Sequence, residues 1–252
     1  MVSVTVTMSV GLFLLAVASG MLGLGVAFAA VPFLGLFLHD LVHQVQPLSL
    51  FLNGVTALFA LFGFARSGLV QWRPAIWLAI VTTVAAPLGA WLAQHVDPRW
   101  LWAFYFVAVA YLAWRMFLPD HPAAASPAPA EANLRLALLL AAPIAVAAGM
   151  LGVGPGFLLL PTLIVVGFEP KHAAAINALA VTPPSFSALL PHLATASVNL
   201  QLASVLVVVG AAGSFFGARI TSLYVPGRRL KQFFGVLIVV LTVYKLSQIV
   251  GL

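Results

Sequence analysis

Two glycine clusters, one in each half of the chain, are where this sequence could do chemistry. Residues 20–32 read GMLGLGVAFAAVP, and residues 149–161, 129 positions on, read GMLGVGPGFLLLP. Gly23 and Gly25 in the first copy, and Gly152, Gly154 and Gly156 in the second, interrupt long apolar runs that each close on a proline, Pro32 or Pro161. Glycine admits positive φ and lets other groups come close to the main chain. A helix restarting beyond each turn, near Val26 and near Phe157, would aim unpaired amides and the positive end of its dipole at the centre of the protein. Pro155 suits the first turn of such a helix. Two helix starts converging from opposite sides form an anion site that needs no buried cation. The charge map fits, because no Lys or Arg falls in the middle of an apolar run.

Uncharged polar residues would complete such a site. Asn53 lies in the segment after the first glycine turn, and Asn177 and Thr182 lie in the corresponding segment of the second half. A polar side chain facing lipid is costly, so all three are expected inside, as ligands for anion oxygens or as interhelical hydrogen bonds. Thr56, Ser185 and Ser187 are weaker candidates, since such hydroxyls often bond their own helix carbonyls. His192 is expected at a helix end and Asp40 and Glu169 at hairpin ends. No acidic residue stands mid-run, which argues against a carboxylate proton relay. Glycines in such segments also serve plain close packing of helices, and that reading stands beside the anion site. The chain has no cysteine, no HExxH and no nucleophile elbow. Ser185, Ser187 and His192 alone make a poor case for an intramembrane hydrolase, so catalytic residues, a metal and a cofactor are not expected.

The elements that must position these residues follow from composition. Hydrophobic residues make up 63% of the 252 and charged residues 6%, with a mean hydropathy of +1.14. Soluble domains average roughly 45–50% and 25%. The chain therefore reads as an all-α polytopic membrane protein, embedded in a lipid bilayer. Its pI near 10.3 does not imply nucleic acid, because the 11 Lys and Arg flank apolar runs instead of forming a basic face. Gly11 to Ala18 could pass for a signal peptide, but it lacks a basic flank and matches an internal run, so it is kept as structure. The runs 8–38 and 134–167 are too long for one helix across a ~30 Å core, and each reads as an interrupted hairpin. Six further runs, at 45–65, 74–94, 99–118, 173–194, 200–219 and 230–250, suit single crossings. Pro183-Pro184 is expected to break or bend the run at 173–194.

Counting Lys and Arg on either side supports the hairpins. With them, one side collects nine basic residues and the other only Arg99 and Lys245; with single crossings the split is six to five. Each half then holds a hairpin plus three transmembrane helices, which inverts the second half relative to the first. The expected organisation is a first repeat over 1–118, a cytoplasmic Pro/Ala linker over 119–133 and a second, inverted-topology repeat over 134–252. Both termini fall outside the cytoplasm. Inverted repeats with broken helices are the build of secondary transporters, with substrate held at the midplane. A passive anion channel would share that build.

GMLGLG with Val31-Pro32, GMLGVGPG with Leu160-Pro161, and an opening hairpin in each half resemble the TauE/SafE sulfite exporters, also called the TSUP family, along essentially the whole chain. The first copy departs from the pattern at Val26 and Ala27, where relatives often carry further glycines. The resemblance implies a multi-pass transporter of the bacterial inner membrane that moves sulfite, organosulfonates or related small anions. Its substrate-binding residues are expected among Gly23, Gly25, Val26, Asn53, Gly152, Gly154, Gly156, Phe157, Asn177 and Thr182. A homodimer is compatible with it.

Overall fold

The computed structural model describes residues 2–38, 40–92, 114, 132–151, 154–190, 193, 196–230, 232, 233, 235, 236 and 240. These residues form helices and no strand. In the first half, α1 (Val2–Leu22), α2 (Ala27–Leu34), α3 (Gln46–Ala65) and α4 (Trp72–Leu92) follow one another, with a π-helical turn, Leu41–Val45, leading into α3. In the second, α5 (Leu134–Leu151), α6 (Gly156–Val165), α7 (Pro170–Leu189) and α8 (Leu200–Tyr224) repeat the order. The stretches Val4–Leu22, His43–Ala65 and Leu200–Tyr224 are long and apolar enough to cross a membrane. The expected crossings at 99–118 and 230–250, and the linker, lie wholly or largely outside the described residues.

Both interrupted runs double back. Phe33 of α2 reaches Gly11 of α1, where a Cβ would stand 2.7 Å from the ring's Cε2. In the second half the amide of Asn133 donates to the carbonyl of Val166 at 3.1 Å, joining the segment before α5 to the residue after α6. Acid–histidine pairs sit at the ends of both runs, 129 positions apart: Asp40 with His43 at 2.9 Å and Glu169 with His172 at 3.4 Å. Sequence reading placed Asp40 and Glu169 there but not their histidines.

The halves interlock. α1 packs on α8 and α4 on α5, so each hairpin's long helix takes its main partner from the other half. Glycine makes this possible by removing the atom that would keep the backbones apart. A Cβ on Gly217 would collide with the Val17 carbonyl, and one on Gly89 with the Val146 carbonyl; likewise Gly20 faces the Ser214 carbonyl and Gly149 that of Ala86. These four contacts form two equivalent pairs. Thr221 adds a hydrogen bond to the Met21 carbonyl at 2.9 Å. α3 and α7 cross at the centre, running antiparallel, with Asn53 against Ser185 and His172 against the Leu69 carbonyl.

Two apolar cores result. One gathers Met8, Leu12, Ala30 and Leu34, and the other their counterparts Ala137, Ala141, Leu159 and Leu163. The α3 span is 67% buried against 28% for α1 and 39% for α8, which puts α3 inside and the other two at the rim.

The prolines of α7 do not break it. The helix runs through Pro183-Pro184 to Leu189. Pro184 has no N–H for the carbonyl of Ala180, and Thr82 of α4 supplies the missing donor at 2.8 Å. A neighbouring helix thus replaces the lost ladder bond, as membrane helices require.

Candidate functional site

The first glycine turn takes the left-handed conformation twice, at Gly23 (φ 62°) and Gly25 (φ 69°). Its backbone is tied to the end of α1, the amide of Leu24 donating to the Ser19 carbonyl at 3.1 Å and the Ser19 hydroxyl donating to the Gly25 carbonyl. The chain then restarts as α2, with Val26 at the N-cap. Helix starts leave amides without intrahelical partners, and two of them here are met by α3. The Val26 amide donates to the Thr56 hydroxyl at 3.1 Å, and the Ala27 amide to Asn53 Oδ1 at 2.7 Å. Asn53 and Thr56, three residues apart on a helix, share the face that makes this double cap geometrically natural.

The second turn is left-handed at Gly154 (φ 75°) and restarts as α6 from a Pro155 N-cap. The amides of Leu158 and Leu159 return to the Pro155 carbonyl at 3.2 and 2.9 Å.

The two turns meet. Phe28 and Phe157, equivalent residues at the starts of α2 and α6, stack with ring centroids 4.0 Å apart and planes 9° from parallel. Asn177 Nδ2 donates to the Gly23 carbonyl at 2.9 Å and the Gly156 carbonyl at 3.3 Å, bridging one turn to the other. Asn53 is wedged between Gly25 and Gly154: a Cβ on Gly25 would run into Asn53 Oδ1, and one on Gly154 would stand 3.0 Å from its Nδ2. Asn53 Nδ2 donates to the Ser185 hydroxyl at 2.8 Å, which donates on to the Val181 carbonyl at 2.6 Å.

Of the residues singled out from sequence, Gly23, Gly25, Val26, Asn53, Gly154, Gly156, Phe157 and Asn177 come together here. Thr182 is buried one turn along α7 and donates to the Ala178 carbonyl at 2.8 Å. Gly152 and His192 lie outside the described residues. Ser19 was not singled out from sequence; Thr56 and Ser185, the weaker candidates, lie at the turns and also donate to their own helix carbonyls, Leu52 and Val181, as expected. Ser19 stands where the second copy has Ala148, so the difference between the copies was the available signal.

The site is buried and uncharged. Asn53 is 1% exposed, Asn177 and Thr56 are fully buried, and among the described residues no Asp, Glu, Lys, Arg or His is buried. One acceptor has no partner, Asn177 Oδ1. Its orientation follows from the amide's other end, since turning it over would set oxygen against two carbonyls. No group of three or more metal-ligating side chains occurs among the described residues. The chemistry on offer is hydrogen bonding from main-chain amides, carboxamides and hydroxyls, in a medium where such bonds are strong.

Comparison with known proteins agrees with this architecture. Residues 8–245 match the family model of the sulfite exporter TauE/SafE. The chain is 28% identical over 234 residues to a probable membrane transporter protein of Xylella fastidiosa strain Temecula1, covering 90% of this chain and 89% of the relative. A probable membrane transporter protein of Xylella fastidiosa strain 9a5c is 26% identical over 235 residues, with the same coverage. No solved structure matches the chain. The match over nearly the full length, on an all-helical membrane architecture with interrupted helices, makes this chain a membrane transporter that belongs to the TauE/SafE sulfite exporter family.

Proposed function

We propose that the protein is a secondary transporter for a small sulfur-containing anion, sulfite or an organosulfonate, bound near the midplane of the bacterial inner membrane where the two glycine turns meet. The observation that carries this is the double cap of α2. Asn53 Oδ1 and Thr56 Oγ1 accept from the amides of Ala27 and Val26, so two neutral oxygens stand where the oxygens of an anion would stand. A sulfite or sulfonate oxygen displaces them with little reorganisation, because helix-start amides favour negative charge. Asn53 Nδ2 and the Ser185 hydroxyl then become additional donors to the same ligand. The contact pattern, α1 with α8 and α4 with α5 around an antiparallel α3–α7 pair, supports two inverted-topology repeats.

The test is anion flux into proteoliposomes. Sulfite or sulfoacetate uptake should saturate and be stimulated by an opposing gradient of the same anion. Gly25→Leu and Gly154→Leu should abolish it while the protein remains in the membrane, since each new side chain invades Asn53. Normal flux in both variants would remove the glycine-turn site. Flux that follows membrane potential without saturating would make the protein a channel.

A further inference from the structure

A groove of about 810 Å³ runs between α3 and α8 on the outside of the helix assembly. Both walls belong to segments apolar enough to span a membrane. Its volume falls in the ~300–1,000 Å³ range of ligand sites. Phe59 and Phe62 line it from α3, Val208, Ala212 and Phe216 from α8, and Arg66 closes one end. The lining is exposed, Phe62 at 49% and Phe216 at 54%, so within a bilayer it faces acyl chains.

Arg66 decides what fits. Its guanidinium lies 5.4 Å from the centroid of the Phe215 ring at the groove's end. The ion pairs among the described residues are Asp40–His43 and Glu169–His172, so no carboxylate of those residues answers it. Arg219 is not part of the groove lining; it donates to the hydroxyl of Ser67, the residue after Arg66, at 2.7 Å. An apolar channel closed at one end by a cation matches a lipid whose head is a phosphate ester with net negative charge. Basic pockets between transmembrane helices bind such heads.

The competing occupant is a second copy of this chain. A two-fold dimer within a bilayer has its axis along the membrane normal, which keeps equivalent residues at equal depth. Pairing along this groove would therefore bring Arg66 toward its own copy, and like charges repel.

We propose that the α3–α8 groove is a binding site for an anionic phospholipid, with the phosphate on Arg66 and the acyl chains along the phenylalanines. The site is separate from the glycine turns and does not depend on which anion is carried. The experiment uses the full chain, purified in detergent and stripped of lipid, with lipid binding read by native mass spectrometry and by thermal midpoint. Phosphatidylglycerol should bind roughly fivefold more tightly than phosphatidylcholine of the same chains. Arg66→Gln should erase that preference, and Ala212→Trp, which fills the groove, should weaken both lipids. Arg73→Gln, an exposed cation outside the groove, should leave the preference intact. Equal binding of the two lipids, a preference that survives Arg66→Gln, or equal loss in Arg73→Gln would overturn the proposal. So would efficient disulfide dimerisation of Phe62→Cys in lipid membranes, because that result places a second copy in the groove.

Discussion

Replacing Asn53 by Asp would set a carboxylate against the Ala27 amide in place of a carboxamide oxygen. A negative charge at a helix start is stabilising, and the Ser185 hydroxyl can turn to donate to it, so the fold should survive. The site would then hold a permanent internal anion. Asn53→Asp is expected to keep its thermal midpoint within a few degrees and to lose at least tenfold in sulfite or sulfonate flux. Unchanged flux would mean that the α2 amides do not meet the substrate. This partnership was only half visible beforehand. Gly25 and Gly154 could be found because duplication prints them twice, and Asn53 because a carboxamide inside lipid needs a reason. That Asn53 and Thr56 cap α2 could not be found, since the bonds join residues 26 and 30 positions apart through a packing angle that no local pattern encodes.

At the scale of elements, the decisive contacts are backbone on backbone. Gly217 faces the Val17 carbonyl and Gly89 the Val146 carbonyl with no room for a methyl group. Gly217→Val should force α1 from α8 and cost more than the ~1 kcal/mol typical of a point substitution. It is expected to reduce the folded fraction sharply in size-exclusion profiles. Gly227→Val serves as the control, as a Cβ there reaches only Pro170 and Glu169, at 3.6 Å and beyond. Most elements were legible from their apolar runs and glycine interruptions. The continuity of α7 was not, because the donor that repairs its proline gap, Thr82, belongs to another helix.

For the whole molecule, the proposed inverted arrangement predicts which surfaces meet the cytoplasm. Ser67 follows Arg66 and accepts from Arg219, and the positive-inside rule sets it on the cytoplasmic side as an expectation. Ser197, whose amide donates to the His43 carbonyl at 2.9 Å, is expected on the other. The chain has no cysteine, so Ser67→Cys and Ser197→Cys can be introduced one at a time into the natural sequence. A membrane-impermeant maleimide applied outside intact cells should label Ser197→Cys and spare Ser67→Cys. The opposite labelling would reverse the orientation, and equal labelling from outside would dismiss the proposed topology. An orientation can be proposed from sequence because it rests on counts of Lys and Arg. The exchange of partners between halves was not, because a glycine signals close packing without naming its neighbour.

That exchange also bears on how the protein is made. α1 leaves the ribosome well before α8, and the surface it needs, Gly213, Gly217 and Thr221 of α8, is synthesised almost two hundred residues later. At about 5–20 residues per second, α1 waits in the bilayer for on the order of ten seconds or more with its glycine seam uncovered. The first half therefore lacks the main partner of α1 until α8 is made.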